Sequence, residues 1–180
     1  MDMNFETRLW HKIFRKLSIL LAIESMLVTV LPYYAGFYLS SSYGFSAPAV
    51  AGLWSAISGI LVLQVTINET TSAAWLRILG SLVGAITSFI LLELMGYRIL
   101  TLGVVVVATV MLTSIFKIKH TLRLACLTSQ VIIVVGMIGH LPILWNCASR
   151  FVESLIGALI AIAVASIFHP VRKKAQLMNK

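Results

Sequence analysis

Charge is what this chain has least of. Of 180 residues, 14 are Lys or Arg and 6 are Asp or Glu, so 11% are charged. A soluble domain carries about 25%. No two carboxylates stand at a plausible separation in one site, no His/Cys/Asp/Glu cluster has metal-ligand spacing, and no Gly-rich Lys motif cradles a phosphate. Those absences argue against an enzyme, a metal centre and an ATP-driven pump, and no cofactor is expected. Cysteine is nearly missing too: Cys126 and Cys147 form neither a metal motif nor a disulfide framework. Cys126 reads as a packing residue within an apolar span, Cys147 as a loop thiol open to reaction.

Apolar residues fill the gap, at 59%. Between Lys16 and Glu69 the only charge is Glu24, and 99–116, 124–149 and 154–171 carry none. Crossing a hydrocarbon core of ~30 Å takes about 20 apolar residues. The chain therefore reads as an all-α membrane protein with six transmembrane helices: a basic amphipathic start (1–16), a six-helix domain (17–170) and a basic tail (171–180). The net charge of +8 does not indicate nucleic acid, because the cations sit between apolar spans and not on one folded face. The run from Leu17 to about Leu39 is too long for a signal-peptide core, so a retained first helix is expected.

The expected helices are 17–39, kinked at Pro32, 48–65, 74–94, 99–116, 122–138 and 151–168. Loops are expected at Ser40–Gly44, at Glu69–Ser72 and from Gly139 past Trp145, with a stop at His169-Pro170. With six spans both termini share one side. That side collects Arg8, Lys12, Arg15, Lys16, Arg77, Lys117, Lys119, Arg123, Arg172, Lys173, Lys174 and Lys180; the other has Arg98 and Arg150. Basic residues favour the cytoplasmic side, so both termini are expected there.

One phrase occurs twice. Arg77-Ile-Leu-Gly80-Ser81-Leu-Val-Gly84-Ala85 is echoed 73 residues later by Arg150-Phe-Val-Glu153-Ser154-Leu-Ile-Gly157-Ala158. Helices three spans apart run in opposite directions, so the echo predicts a 3+3 inverted repeat, a common transporter plan.

The phrase, preceded by Leu63-Gln64-Val65-Thr66 and followed by a closing Arg150-x-x-Glu153-Ser154-x-x-Gly157 helix ending at Pro170, resembles the fusaric-acid-resistance-like membrane proteins, also called aromatic acid exporters. The resemblance covers about 48–170. It implies efflux of organic anions, often aromatic carboxylates, across a bacterial inner membrane. The pattern departs at Ser81 and Ser154, where Thr is usual, and at Val65, where Pro is common. Many relatives add a cytosolic domain after the helices, so a homo-oligomer or a partner membrane subunit is expected here.

Several residues are candidates for that work. Arg77 and Arg150 are expected at helix N-termini, where a guanidinium fork and the helix dipole would attract a carboxylate; plain snorkelling, or an i,i+3 pair of Arg150 with Glu153, is the alternative. Glu24, an acid at membrane depth, suits proton coupling, or else is hydrogen-bonded or snorkels. Gln64, Thr128, Ser129 and Gln130 would line a polar path or bond between helices. Gly80, Gly84, Gly157 and Ala161 have the small-xxx-small spacing of close helix packing. His120 and His169 read as interfacial. A non-transporting membrane scaffold and a passive anion channel remain alternative functions.

Overall fold

In a computed structural model, the backbone of residues 3–43 and 47–177 and the side chains of residues 19–43 and 47–173 are described. The side chains of the basic start and of the tail from Lys174 lie outside the described residues. Among the described residues there are six α-helices and no strand: α1 (Met3–Tyr43), α2 (Pro48–Val62), α3 (Ile67–Met95), α4 (Ile99–Ile115), α5 (Leu122–Gly139) and α6 (Ile143–Leu177). A 3-10 turn at Lys119–Thr121 precedes α5. Four segments, Ile19–Tyr43, Ile67–Met95, Lys119–Gly139 and Ile143–Lys173, are long and apolar enough to cross a membrane, and α2 and α4 are shorter apolar helices. The chain is a multi-pass membrane protein.

Three helices run past their expected ends. Ser40–Tyr43 continues α1 instead of turning. Helix α3 starts at Ile67, taking in the expected Glu69–Ser72 loop. The Thr66 hydroxyl caps it by accepting from the Glu69 amide at 3.2 Å. Thr70 and Thr71 return their hydroxyls to the carbonyls of Thr66 and Ile67, at 2.9 Å each, so these polar side chains are satisfied without leaving the helix. Helix α6 begins at Ile143, directly after Pro142, and passes through Pro170 to Leu177, so the expected loop around Trp145 and the stop at Pro170 do not occur. Proline is tolerated inside helices in this setting because neighbours satisfy the freed groups. Cys147 thereby sits buried in α6, not in a loop.

The bundle has a two-sided order. Helices α3 and α6 pack on each other at the centre. On one side α2 packs on α6 and α1, and α1 also touches α6; on the other α5 packs on α3 and α4, and α4 also touches α3. Small residues permit the closest approaches. A Cβ at Gly157 of α6 would lie 2.8 Å from both the Gly59 amide nitrogen and Ser58 Cβ of α2. A Cβ at Gly84 of α3 would lie 2.5 Å from the Ala125 carbonyl and 3.0 Å from Thr128 Cβ of α5. Gly80 likewise meets Leu124 of α5, and Ala161 is fully buried beside Ala158 in the cluster that includes Val28 and Val62.

Two polar ties fasten the ends. Arg172 of α6 pairs with Glu24 of α1, its Nε donating to Oε1 at 2.6 Å, and also donates to the carbonyls of Gln64 and Val65 just past α2. Glu24 is fully buried. At the opposite end Asn146 of α6 donates to the Ile132 carbonyl of α5 at 2.6 Å and to the Tyr97 hydroxyl at 3.3 Å, and Tyr97 donates to the Leu141 carbonyl at 3.2 Å.

Gly157→Leu should destabilise the bundle by about 1–3 kcal/mol through overpacking. Gly103→Leu, at a site with nothing within 4 Å of the added carbon, should leave it unchanged. Thermal unfolding in detergent compares the two. Arg172→Met should cost about 3–5 kcal/mol because it strands the Glu24 charge. The double variant Glu24→Leu/Arg172→Met should cost less than Arg172→Met alone in the same assay.

Candidate anion-binding site

Helix α2 is apolar except for Trp54, Ser55 and Ser58, all of them buried against its neighbours. Ser58 faces the α3–α6 crossing, and there it meets Arg77. The Arg77 guanidinium donates to Ser58 Oγ from Nη2 at 2.9 Å and from Nε at 3.3 Å, and Nη2 also reaches Ser154 Oγ of α6 at 3.4 Å. The Ser58 hydroxyl hydrogen goes to the Trp54 carbonyl at 2.9 Å, which leaves its lone pairs to the arginine. The guanidinium carbon stands 5.0 Å from the centre of the Trp54 ring, within cation–π range. Arg77 is 0% exposed.

The site is rich in donors and poor in negative charge. Arg77 Nη1 and Trp54 Nε1 are buried and have no hydrogen-bond partner among the described residues. The two buried acids among those residues, Glu24 and Glu153, are held by Arg172 and Arg150. A buried guanidinium facing hydroxyls and an indole, with no carboxylate beside it, is a cation lacking an anion.

A row of buried hydroxyls continues from it. Ser81, one turn along α3 from Arg77, lies 3.4 Å from Thr128 Oγ1 of α5. Ser129 donates to the Gly84 carbonyl at 3.2 Å and stands 3.3 Å from Thr109 of α4. Thr128 and Thr109 also bond the carbonyls of Leu124 and Val105 in their own helices, so each hydroxyl hydrogen is held by backbone.

The two arginines of the repeated phrase differ. Neither opens its helix: Arg77 lies in the third turn of α3 and Arg150 in the second or third of α6, beyond the first turn where the helix dipole acts. Arg150 donates to Glu153 Oε1 at 2.8 Å, both side chains being buried, so its charge is balanced one turn along its own helix. Of the expected path residues, Thr128 joins the hydroxyl row and Gln130 is half-buried on α5. Gln64 is exposed and contributes its backbone, the amide donating to Thr70 Oγ1 at 3.0 Å and the carbonyl accepting from Arg172. Glu24 sits on Arg172 at the end of the bundle. Gly80, Gly84, Gly157 and Ala161 lie at helix contacts. Among the described residues no group of three His, Cys, Asp or Glu could hold a metal ion.

Sequence reasoning missed Trp54, Ser58 and Arg172. Two hydroxyls in an otherwise apolar helix were the available signal for Ser58. Arg172 was hidden among the cations of the tail.

No curated protein and no solved structure matches the chain. The family model described as "Fusaric acid resistance protein-like" matches residues 26–164, a stretch that contains Arg77, its three partners and the whole hydroxyl row. More than half of the sequence is covered, and the chain belongs to the fusaric acid resistance protein-like family.

Proposed function

We propose that this protein exports small organic anions, aromatic or other carboxylates, across the bacterial inner membrane, and that Arg77 is the group that receives them. The observation that carries the reading is the buried Arg77 guanidinium with an unused N–H and no acid beside it. A carboxylate is planar and divalent in acceptor geometry, and it suits that fork. Its arrival would supply the missing charge, and the Trp54 ring offers a flat apolar wall for an aromatic body. Family membership supports transport of the resistance-protein kind.

A 3+3 inverted repeat supplies the means of exposing the site to either side. Exchanging α1, α2 and α3 with α4, α5 and α6 leaves the pattern of packed helices unchanged. The side chains follow the same exchange: Ser58 with Ser154 and Thr128 with Ser81 are matching hydroxyl pairs, each at 3.4 Å. Gly157 against Ser58 and Gly59 matches Gly84 against Thr128 and Ser129. The offset is 73 residues between α3 and α6 but 70 between these positions of α2 and α5, which is why the second helices align loosely in sequence.

In this reading all six helices cross and both termini are cytoplasmic, a reading that the distribution of cations supports. Helices α2 and α4, at roughly 22 and 25 Å, fall short of the ~30 Å core, and local bilayer thinning accommodates them. Glu24 couples protons in a specific way: its protonation removes the charge that holds Arg172 and frees that end of α6. The working unit is an oligomer, with identical copies or a partner membrane subunit.

In liposomes, the purified protein should move an aromatic carboxylate. Arg77→Ala should lower the initial rate roughly 10- to 100-fold, the worth of charged hydrogen bonds. Arg150→Ala should act mainly through folding. Undiminished flux in a folded Arg77→Ala protein sinks the mechanism, and no flux from the wild type favours a scaffold. Glu24→Gln should abolish the response to an imposed proton gradient while downhill flux persists; a wild type indifferent to the gradient is a passive channel.

A further inference from the structure

A groove of about 630 Å³ runs between α3 and α4, apart from the Arg77 site. Its walls include Val83, Ile86, Ile90 and Leu112. The hydroxyl of its one polar side chain, Thr87, is tied to the Val83 carbonyl at 2.8 Å, so the lining is effectively hydrocarbon. Along α4 the groove reaches from Ala108 to Phe116. Eight residues of helix span about 12 Å, close to one leaflet's half of a ~30 Å core.

The groove ends at Phe116 and Ile118, and Lys117 lies between them. Lys117, Lys119 and Arg123 are all exposed at this end, with no acid between Phe116 and Arg123. The turn is unusual in its backbone. Ile118 N–H closes on the Thr113 carbonyl at 3.0 Å and Lys117 N–H on the Ser114 carbonyl at 3.2 Å, a helix-ending motif whose left-handed position is normally glycine. Here that position is Lys117, with φ of 57°. The chain keeps a lysine where glycine would be less strained, and the turn sets Ile118 in the groove wall with the exposed Lys117 beside it in the chain.

We propose that this groove binds one anionic phospholipid, with an acyl chain along α3 and α4 and the phosphate on Lys117, Lys119 and Arg123. The fit is one of charge as well as shape, since a leaflet-deep apolar slot ends in a cluster of cations. A second copy of the chain is a poorer occupant: a two-fold contact through this face would bring the basic turn towards its own image. The site is independent of the transport reading.

Native mass spectrometry of the full chain in detergent tests it, with phosphatidylglycerol and phosphatidylcholine of identical chains offered in equal amounts. The wild type should retain phosphatidylglycerol in preference. Lys119→Gln and Lys117→Gly should each lower that preference about fivefold, the effect of one surface cation. Lys117→Gly should do so while raising thermal stability, which separates lost binding from lost folding. Ala108→Phe, which fills the groove without touching charge, should lower phosphatidylglycerol retention, and millimolar inorganic phosphate should not displace the lipid. Equal retention of the two lipids by the wild type, unchanged preference in both lysine variants, displacement by phosphate, or dissociation of an oligomer by Ala108→Phe would each overturn the proposal.

Discussion

Arg77 carries a full charge to a place without solvent, where an ion loses hydration worth several kcal/mol. The compensation on hand is two serine hydroxyls and the face of an indole. A hydrogen bond from a charged donor contributes about 1.5–3 kcal/mol and a desolvated cation–π contact about 2. Those terms hold the side chain in place without neutralising it. The remaining deficit is electrostatic, and an anion is the natural way to close it. A neutral residue at this position would lose those contacts and leave the centre of the bundle with no preference for charge.

That arrangement depends on close packing. Ser58 reaches both Arg77 and Ser154 only because α2 lies hard against α6, and Gly157 is what allows it. Small residues and hydroxyls thus serve together: the former bring backbones near, and the latter use the nearness to bond across helices. The same pairing recurs at Gly84, Ser81 and Thr128. The two arginines of the repeated phrase differ in their partners. Glu153 stands where α3 has Gly80, and it neutralises Arg150, so the repeat ends with one balanced charge and one unbalanced charge.

The six apolar segments were legible because charge-free runs leave little choice in a membrane. Their ends were not. Glu69 to Ser72 has the composition of a loop, yet Thr66, just before it, caps the helix and Thr70 and Thr71 bond their hydroxyls back to its backbone. Pro170 has the look of a terminator, yet α6 continues past it. The repeated phrase marked Arg77, Ser81, Gly84 and Gly157 because it is a local pattern. It could not show that Ser58 and Trp54 complete the site, since those contacts join different helices. Nor could it show that Arg77 lies well inside α3, because that depended on where the helix begins. The tail cations were read for orientation alone, which concealed Arg172 as the partner of Glu24.

The Glu24–Arg172 tie joins residues 148 apart, α1 to α6. At a synthesis rate of about 5–20 residues per second, roughly 7 to 30 s separate the emergence of the acid from that of its partner. Throughout that interval the first helix holds a carboxylate whose arginine does not yet exist. The nascent chain must keep Glu24 hydrated, protonated or shielded by the insertion machinery until α6 follows. A chain truncated before Arg172 would lack the partner permanently, and its unpaired membrane-depth acid would distinguish it from a chain that includes Arg172. The part of α6 that carries Arg172 therefore decides when the Glu24 charge finds its partner.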